Sequence, residues 1–139
     1  MKQSLVPVAG ALALLASGCA HPPPVAFNPD PAHTSRNALD WAGAYRGVIP
    51  CADCEGIETV VVLKSDGGYA AYTRRLGKDE GMSSRAGRFT WNDAGNAITL
   101  GDGVQYLVGE GHLTQLARDG GRITGALADR YVLTKDPGA

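Results

Sequence analysis

Four clusters of turn residues cut the chain after residue 40 into short pieces: Ser65-Asp66-Gly67-Gly68, Asn92-Asp93-Ala94-Gly95, Gly101-Asp102-Gly103 and Asp119-Gly120-Gly121. Asp-Gly and Gly-Gly pairs supply the positive φ angles that tight hairpins need. Of the 19 glycines, 17 lie after residue 40, scattered between apolar runs rather than gathered into a linker. The runs themselves are rich in β-branched and aromatic residues: 44–49, 57–64, 69–76, 87–91, 96–100, 104–109, 112–117 and 128–134. No stretch after residue 40 sustains an apolar period of 3.6 over three turns, so helix is excluded as the main element. The pattern is that of a β-meander.

Alternation shows which residues face inward. Ile57, Thr59, Val61 and Leu63 share one face of their strand, and Phe89 and Trp91 share one face of theirs. About eight short antiparallel strands must stack as two sheets or curl closed. With every link short, closure is favoured, because it removes exposed sheet edges and needs no long crossover. The expected fold is therefore all-β, a small antiparallel up-and-down barrel over residues 41–135. Tyr45, Tyr69, Tyr72, Tyr106 and Tyr131 are expected to pack it. Residues 77–84, GKDEGMSS, form the longest expected loop.

Residues 1–18 read as an export signal. Lys2 is followed by an uncharged apolar segment, Leu5 to Ala16, too short to span a membrane. It ends in Leu15-Ala16-Ser17-Gly18-Cys19, which resembles a bacterial lipobox and makes Cys19 the lipidated first residue of the mature chain. Ala20 stands where an aspartate would favour inner-membrane retention, which points to the outer membrane. Residues 19–40 hold five of the eight prolines and read as a tether; a coil of this length averages roughly 25 Å. His21 and His33 fall in it and read as solvated. Net charge is −1 with no basic run, which excludes nucleic acid as a partner.

Lipidation of Cys19 leaves Cys51 and Cys54 as a pair, in the stretch GVIPCADCEGIET. Three chemistries compete for them. A redox-active dithiol needs a thiolate stabilised by a helix N-terminus or a cation. Here a strand follows, and Asp53, Glu55 and Glu58 surround the pair with anions that disfavour thiolate. A disulfide suits an exported protein. Two thiolates three residues apart can also ligate one soft ion, and Cu(I) suits sulfur. His112 and Met82 are the remaining soft or borderline ligands in the domain, too few for a zinc site. Disulfide and Cu(I) both stay open.

Tyr45, then Arg-Gly-Val-Ile-Pro-Cys-Ala-Asp-Cys-Glu-Gly-Ile-Glu-Thr, then an apolar strand and an Asp-Gly turn, resembles the N-terminal domain of the NlpE family. The resemblance runs over roughly residues 41–134 and is most specific at 45–69. It implies a lipocalin-like barrel on an outer-membrane lipoprotein of copper homeostasis or adhesion signalling, facing the periplasm. A periplasmic or inner-membrane signalling partner follows from the same resemblance. Larger members carry a second domain with its own cysteine pair, and functions resting on that domain are not expected here. Two other roles compete: a barrel holding a small apolar ligand, and a plain interaction module. Asp53, Glu55 and Glu58 sit in one short stretch without a histidine or an oxyanion hole, so no enzyme is expected.

Overall fold

The structure is a computed structural model that describes residues 33–138, together with Gly10 and Gly18. Cys19, His21 and the rest of the expected signal and tether up to residue 32, Gly10 and Gly18 apart, lie outside the described residues. Among the described residues nine strands follow in order: β1 (Gly43–Ile49), β2 (Ile57–Leu63), β3 (Gly68–Arg75), β4 (Ser83–Arg88), β5 (Thr90–Trp91), β6 (Ala97–Thr99), β7 (Gln105–Gly109), β8 (His112–Gln115) and β9 (Val132–Lys135). One short helix, α1 (Ser35–Ala38), precedes them, and a 3-10 turn covers Ala128–Arg130.

All pairings are antiparallel, and the sheet order is β4-β3-β2-β1-β9-β8-β7-β6-β5. First and last strands meet, with Arg46 opposite Thr134. The two ends of the order, β4 and β5, are separated in sequence by Phe89 alone. They are halves of one bent strand, the first paired with β3 and the second with β6. This switch of partner nearly closes the sheet into a barrel. Where β4 lies away from the bend, an Arg85–Asp102 ion pair reaches toward the β6–β7 turn.

The meander and barrel stand as expected, with two differences in detail. The residues read as a strand at 87–91 belong to the longer β4–β5 unit, which starts at Ser83 and shortens the loop before it. All six β4 residues are exposed, so this segment lacks the apolar alternation by which a strand is recognised. The longest connection is instead 116–131, between β8 and β9. It does not break the barrel, because β8 and β9 still pair directly from His112–Thr134 to Thr114–Val132.

Inward residues alternate along each strand and meet in one core that includes Tyr45, Val61, Leu63, Tyr69, Ile98, Tyr106, Leu113 and Leu133. Tyr72 departs from the expected packing: it is among the exposed large side chains, on the strand face opposite that of Ala71. At one end Trp41, Phe89 and Trp91 form an edge-to-face triad, with centroids 5.5–6.2 Å apart. The Tyr45 hydroxyl donates to the Trp41 carbonyl beside it, at 2.7 Å. Residues 34–40, read from the sequence as tether, dock at this end. The Arg36 amide donates to the Gly95 carbonyl at 3.0 Å, and the Trp41 indole N–H to the Arg36 carbonyl at 3.0 Å.

Gly47 permits the β1–β9 contact on which closure depends. A Cβ there would lie 2.7 Å from the Val132 carbonyl and 3.0 Å from Leu133 Cδ2. Neither backbone nor a buried leucine can yield cheaply. Gly47→Ala should therefore destabilise the protein by roughly 1–3 kcal/mol, read from the urea midpoint. A midpoint unchanged from wild type would mean that the β1–β9 seam accommodates the methyl.

Candidate functional site: the disulfide loop at the barrel mouth

Pro50 ends β1, and residues 50–56 turn the chain into β2 without a helix. Within this turn Cys51 and Cys54 are joined as a disulfide, S–S 2.08 Å. Asp53 Oδ1 lies 3.3 Å from Cys51 Sγ, and the Gly56 carbonyl oxygen 3.3 Å from Cys54 Sγ. Ligand-capable atoms of Cys51, Asp53 and Cys54 all fall within 4.8 Å of one another.

The turn is tied across the barrel rim to the β3–β4 loop. The Leu76 amide donates to the Gly56 carbonyl at 2.9 Å, and Lys78 Nζ lies 2.9 Å from Asp53 Oδ2. Both partners of that ion pair are well exposed, so it steers the loop more than it stabilises the fold. Glu55 covers Gly77, whose φ of +79° and absent Cβ leave room for the carboxylate. Glu58 does not join the others: it sits on β2 and accepts from Arg74 at 2.6 Å. The expected crowd of three anions around the cysteines thus reduces to Asp53, with Glu55 behind it.

The two soft ligands considered beside the cysteines part company. Met82 is exposed at the end of the β3–β4 loop, on the same rim. His112 starts β8, which runs from there toward Gln115 at the rim, so His112 belongs to the opposite end of the barrel. Its Nδ1 lies 3.0 Å from the Glu110 carbonyl oxygen.

Behind the rim the barrel interior opens into a cavity of about 410 Å³. Sequence reading missed its polar character. The inward row of β3 runs Tyr69, Ala71, Thr73, Arg75, apolar at one end and charged at the other. Extending the period of two beyond Ala71 was the available signal. Arg75 donates to Asp79 through Nε at 3.2 Å and Nη2 at 2.8 Å, and its backbone N–H donates to the same carboxylate at 2.9 Å. These bonds, the guanidinium's foremost, hold Asp79 below the usual carboxylate range. Their stabilisation is complete above the ordinary carboxylate pKa and is lost as pH falls through the lowered one.

The geometry defines a small antiparallel barrel with a disulfide-bridged loop on the rim of a polar mouth. A family model described as the NlpE N-terminal domain matches residues 45–126, and the chain belongs to that lipoprotein family. A putative lipoprotein from Shewanella oneidensis, solved by crystallography, is 50% identical with a TM-score of 0.72. That match covers 76% of this chain and 97% of the other. The crystal structure of the Cpx pathway activator NlpE from Escherichia coli matches at 32% identity and a TM-score of 0.51, over 60% of this chain and 46% of that one. Lipoprotein NlpE of Escherichia coli (strain K12) is 46% identical over 59 residues, 42% of this chain. The match spans 25% of that curated relative's length. Among the described residues no helix is long and apolar enough to cross a membrane.

Proposed function

We propose that the protein is a non-enzymatic envelope lipoprotein, anchored through Cys19 to the outer membrane, whose Cys51–Cys54 loop senses copper or surface stress. The observation that carries this reading is the position of the loop. It stands on the barrel rim, cross-tied through Gly56 and Asp53 to the β3–β4 loop, so a change at the sulfurs alters an exposed surface a partner can touch. On reduction each thiol finds an acceptor already beside it, Asp53 Oδ1 for Cys51 and the Gly56 carbonyl for Cys54. Two thiolates at this spacing suit Cu(I), whereas the Asp53 carboxylate is a hard ligand and adds little for that ion. A signalling protein of the periplasm or inner membrane would read the outcome. The Escherichia coli relative is a Cpx pathway activator, which supports that class of partner.

The test uses the mature chain with His21 and His33 both replaced by alanine, which leaves His112, at the opposite end of the barrel, as its one imidazole. After reduction it should take up one Cu(I) against a competing chelator and protect both thiols from alkylation. Cys51→Ala with Cys54→Ala should abolish uptake. Against the oxidised protein the same pair of changes should cost only about 2 kcal/mol, since the bridge closes a very short loop. Uptake that survives loss of both sulfurs would reduce the loop to a structural staple.

A further inference from the structure

The polar mouth behind the loop has a composition that neither a structural staple nor a copper site requires. Strand register places two arginines on the interior row: Arg75 lies opposite Ile57, and Arg85 opposite the buried Ala71. Both line the cavity, and each is fixed on one side by a carboxylate, Arg75 by Asp79 and Arg85 by Asp102. The remaining guanidinium N–H groups, those on Nη1 of Arg75 and on both Nη atoms of Arg85, have no protein acceptor among the described residues. Two guanidinium groups thus stand on the cavity wall, each paired on one side with a carboxylate and open on the other.

Two further polar groups point the same way. Tyr106 is 2% exposed and lines the cavity, where its hydroxyl can give or accept a bond from an occupant. The Gln115 side chain carries a buried oxygen with no hydrogen-bond partner, and its amide can present either oxygen or NH₂ to an occupant. An orphaned polar group beside a cavity marks a place for something that bonds to it. Ile57 and Val104 supply an apolar patch on the same wall. The volume falls within the range of small-molecule sites.

We infer that the barrel mouth binds a small amphiphilic organic anion, its acidic head between Arg75 and Arg85 and its short apolar body against Ile57 and Val104. This differs from the apolar cargo that a closed barrel by itself suggests, because an uncharged ligand seated at the mouth would strip water from both guanidinium groups without compensation. Charge-assisted bonds from two forks give orientation, and the apolar patch contributes area.

Two fluorescent probes with one scaffold separate these cases: 8-anilinonaphthalene-1-sulfonate, which carries an acidic head, and N-phenyl-1-naphthylamine, which lacks it. Titrated into the oxidised mature chain, the sulfonate should bind at least tenfold more tightly, and more weakly as salt rises. Arg85→Gln should weaken the sulfonate at least fivefold and leave the amine unchanged, while Arg85→Lys should recover part of the loss. Tyr106→Phe should weaken it about threefold. Urea midpoints of the variants guard against dye binding to unfolded protein. Equal binding of the two probes, or sulfonate binding indifferent to Arg85→Gln in a folded variant, would overturn the inference. So would failure of the wild-type chain to bind the sulfonate at all.

Discussion

Between pH 10 and pH 12 the barrel is expected to lose roughly 3–5 kcal/mol of stability. Tyr45 and Tyr106 are both essentially buried, at 0% and 2% exposure. Burial is the main cause that pushes each phenol up to about 12 from an ordinary 10.0; Asp40 adds to it at Tyr45, while at Tyr106 the Arg85 guanidinium opposes it and Asp102 adds a smaller push upward. Below pH 10 folded and unfolded chains both hold these protons, so the contribution is fully present. Between the two values the unfolded chain releases them and the folded chain does not, so stability falls as pH rises. At 1.36 kcal/mol per unit, two units amount to roughly 3 kcal/mol for Tyr106, and to less for Tyr45, whose hydroxyl is part-buried where it donates to Trp41. A domain with about 5–15 kcal/mol in hand cannot absorb that easily. Phenolate absorbance should rise in step with loss of the β-sheet circular dichroism signal, and Tyr106→Phe should roughly halve the pH dependence. Full phenol ionisation with the sheet intact would show that water reaches these hydroxyls.

Cys19→Ser should move the exported protein from the membrane pellet to the soluble fraction and leave its urea midpoint unchanged. Several acyl chains, at about 0.8 kcal/mol for each buried methylene, hold a protein effectively permanently where one chain does not. Residues 34–40 leave the barrel at the end capped by Trp41, Phe89 and Trp91, and the Lys135 ammonium donates to the Asp40 carbonyl there at 2.6 Å. The disulfide loop and the polar mouth are at the other end. Wild-type protein that is already soluble, with an unmodified cysteine, would end the lipoprotein reading.

Much of the fold was legible because local chemistry and burial agree in most strands. Gly67, in the turn marked by Ser65-Asp66-Gly67-Gly68, takes φ +89°. Asp66 caps that turn by accepting from the Gly68 amide at 2.8 Å. Ile57, Thr59, Val61 and Leu63 alternate because one face of β2 fills the barrel, with the last three buried. β4 was illegible beyond its last residues for the opposite reason. Its backbone is held by pairing with β3 from Gly68–Arg88 to Thr73–Ser83, and an exposed strand needs no apolar side chains to be held that way.

The sequence alone determined the class of fold, the order of hairpins and the placing of Cys51 and Cys54 together in one turn, because each rests on contacts within a few residues or on a period of two. Only the tertiary structure decided which groups from distant strands share a rim. Lys78 reaches Asp53 across 25 positions of sequence, and Glu58 turns to Arg74 rather than to the cysteines. Arg75, Arg85, Tyr106 and Gln115 come from four strands and meet at one cavity only when the barrel curls. Periodicity tells which face a side chain occupies. Which residues from other strands share that face depends on register and curvature, set by the long-range β1–β9 pairing and the bend at Phe89.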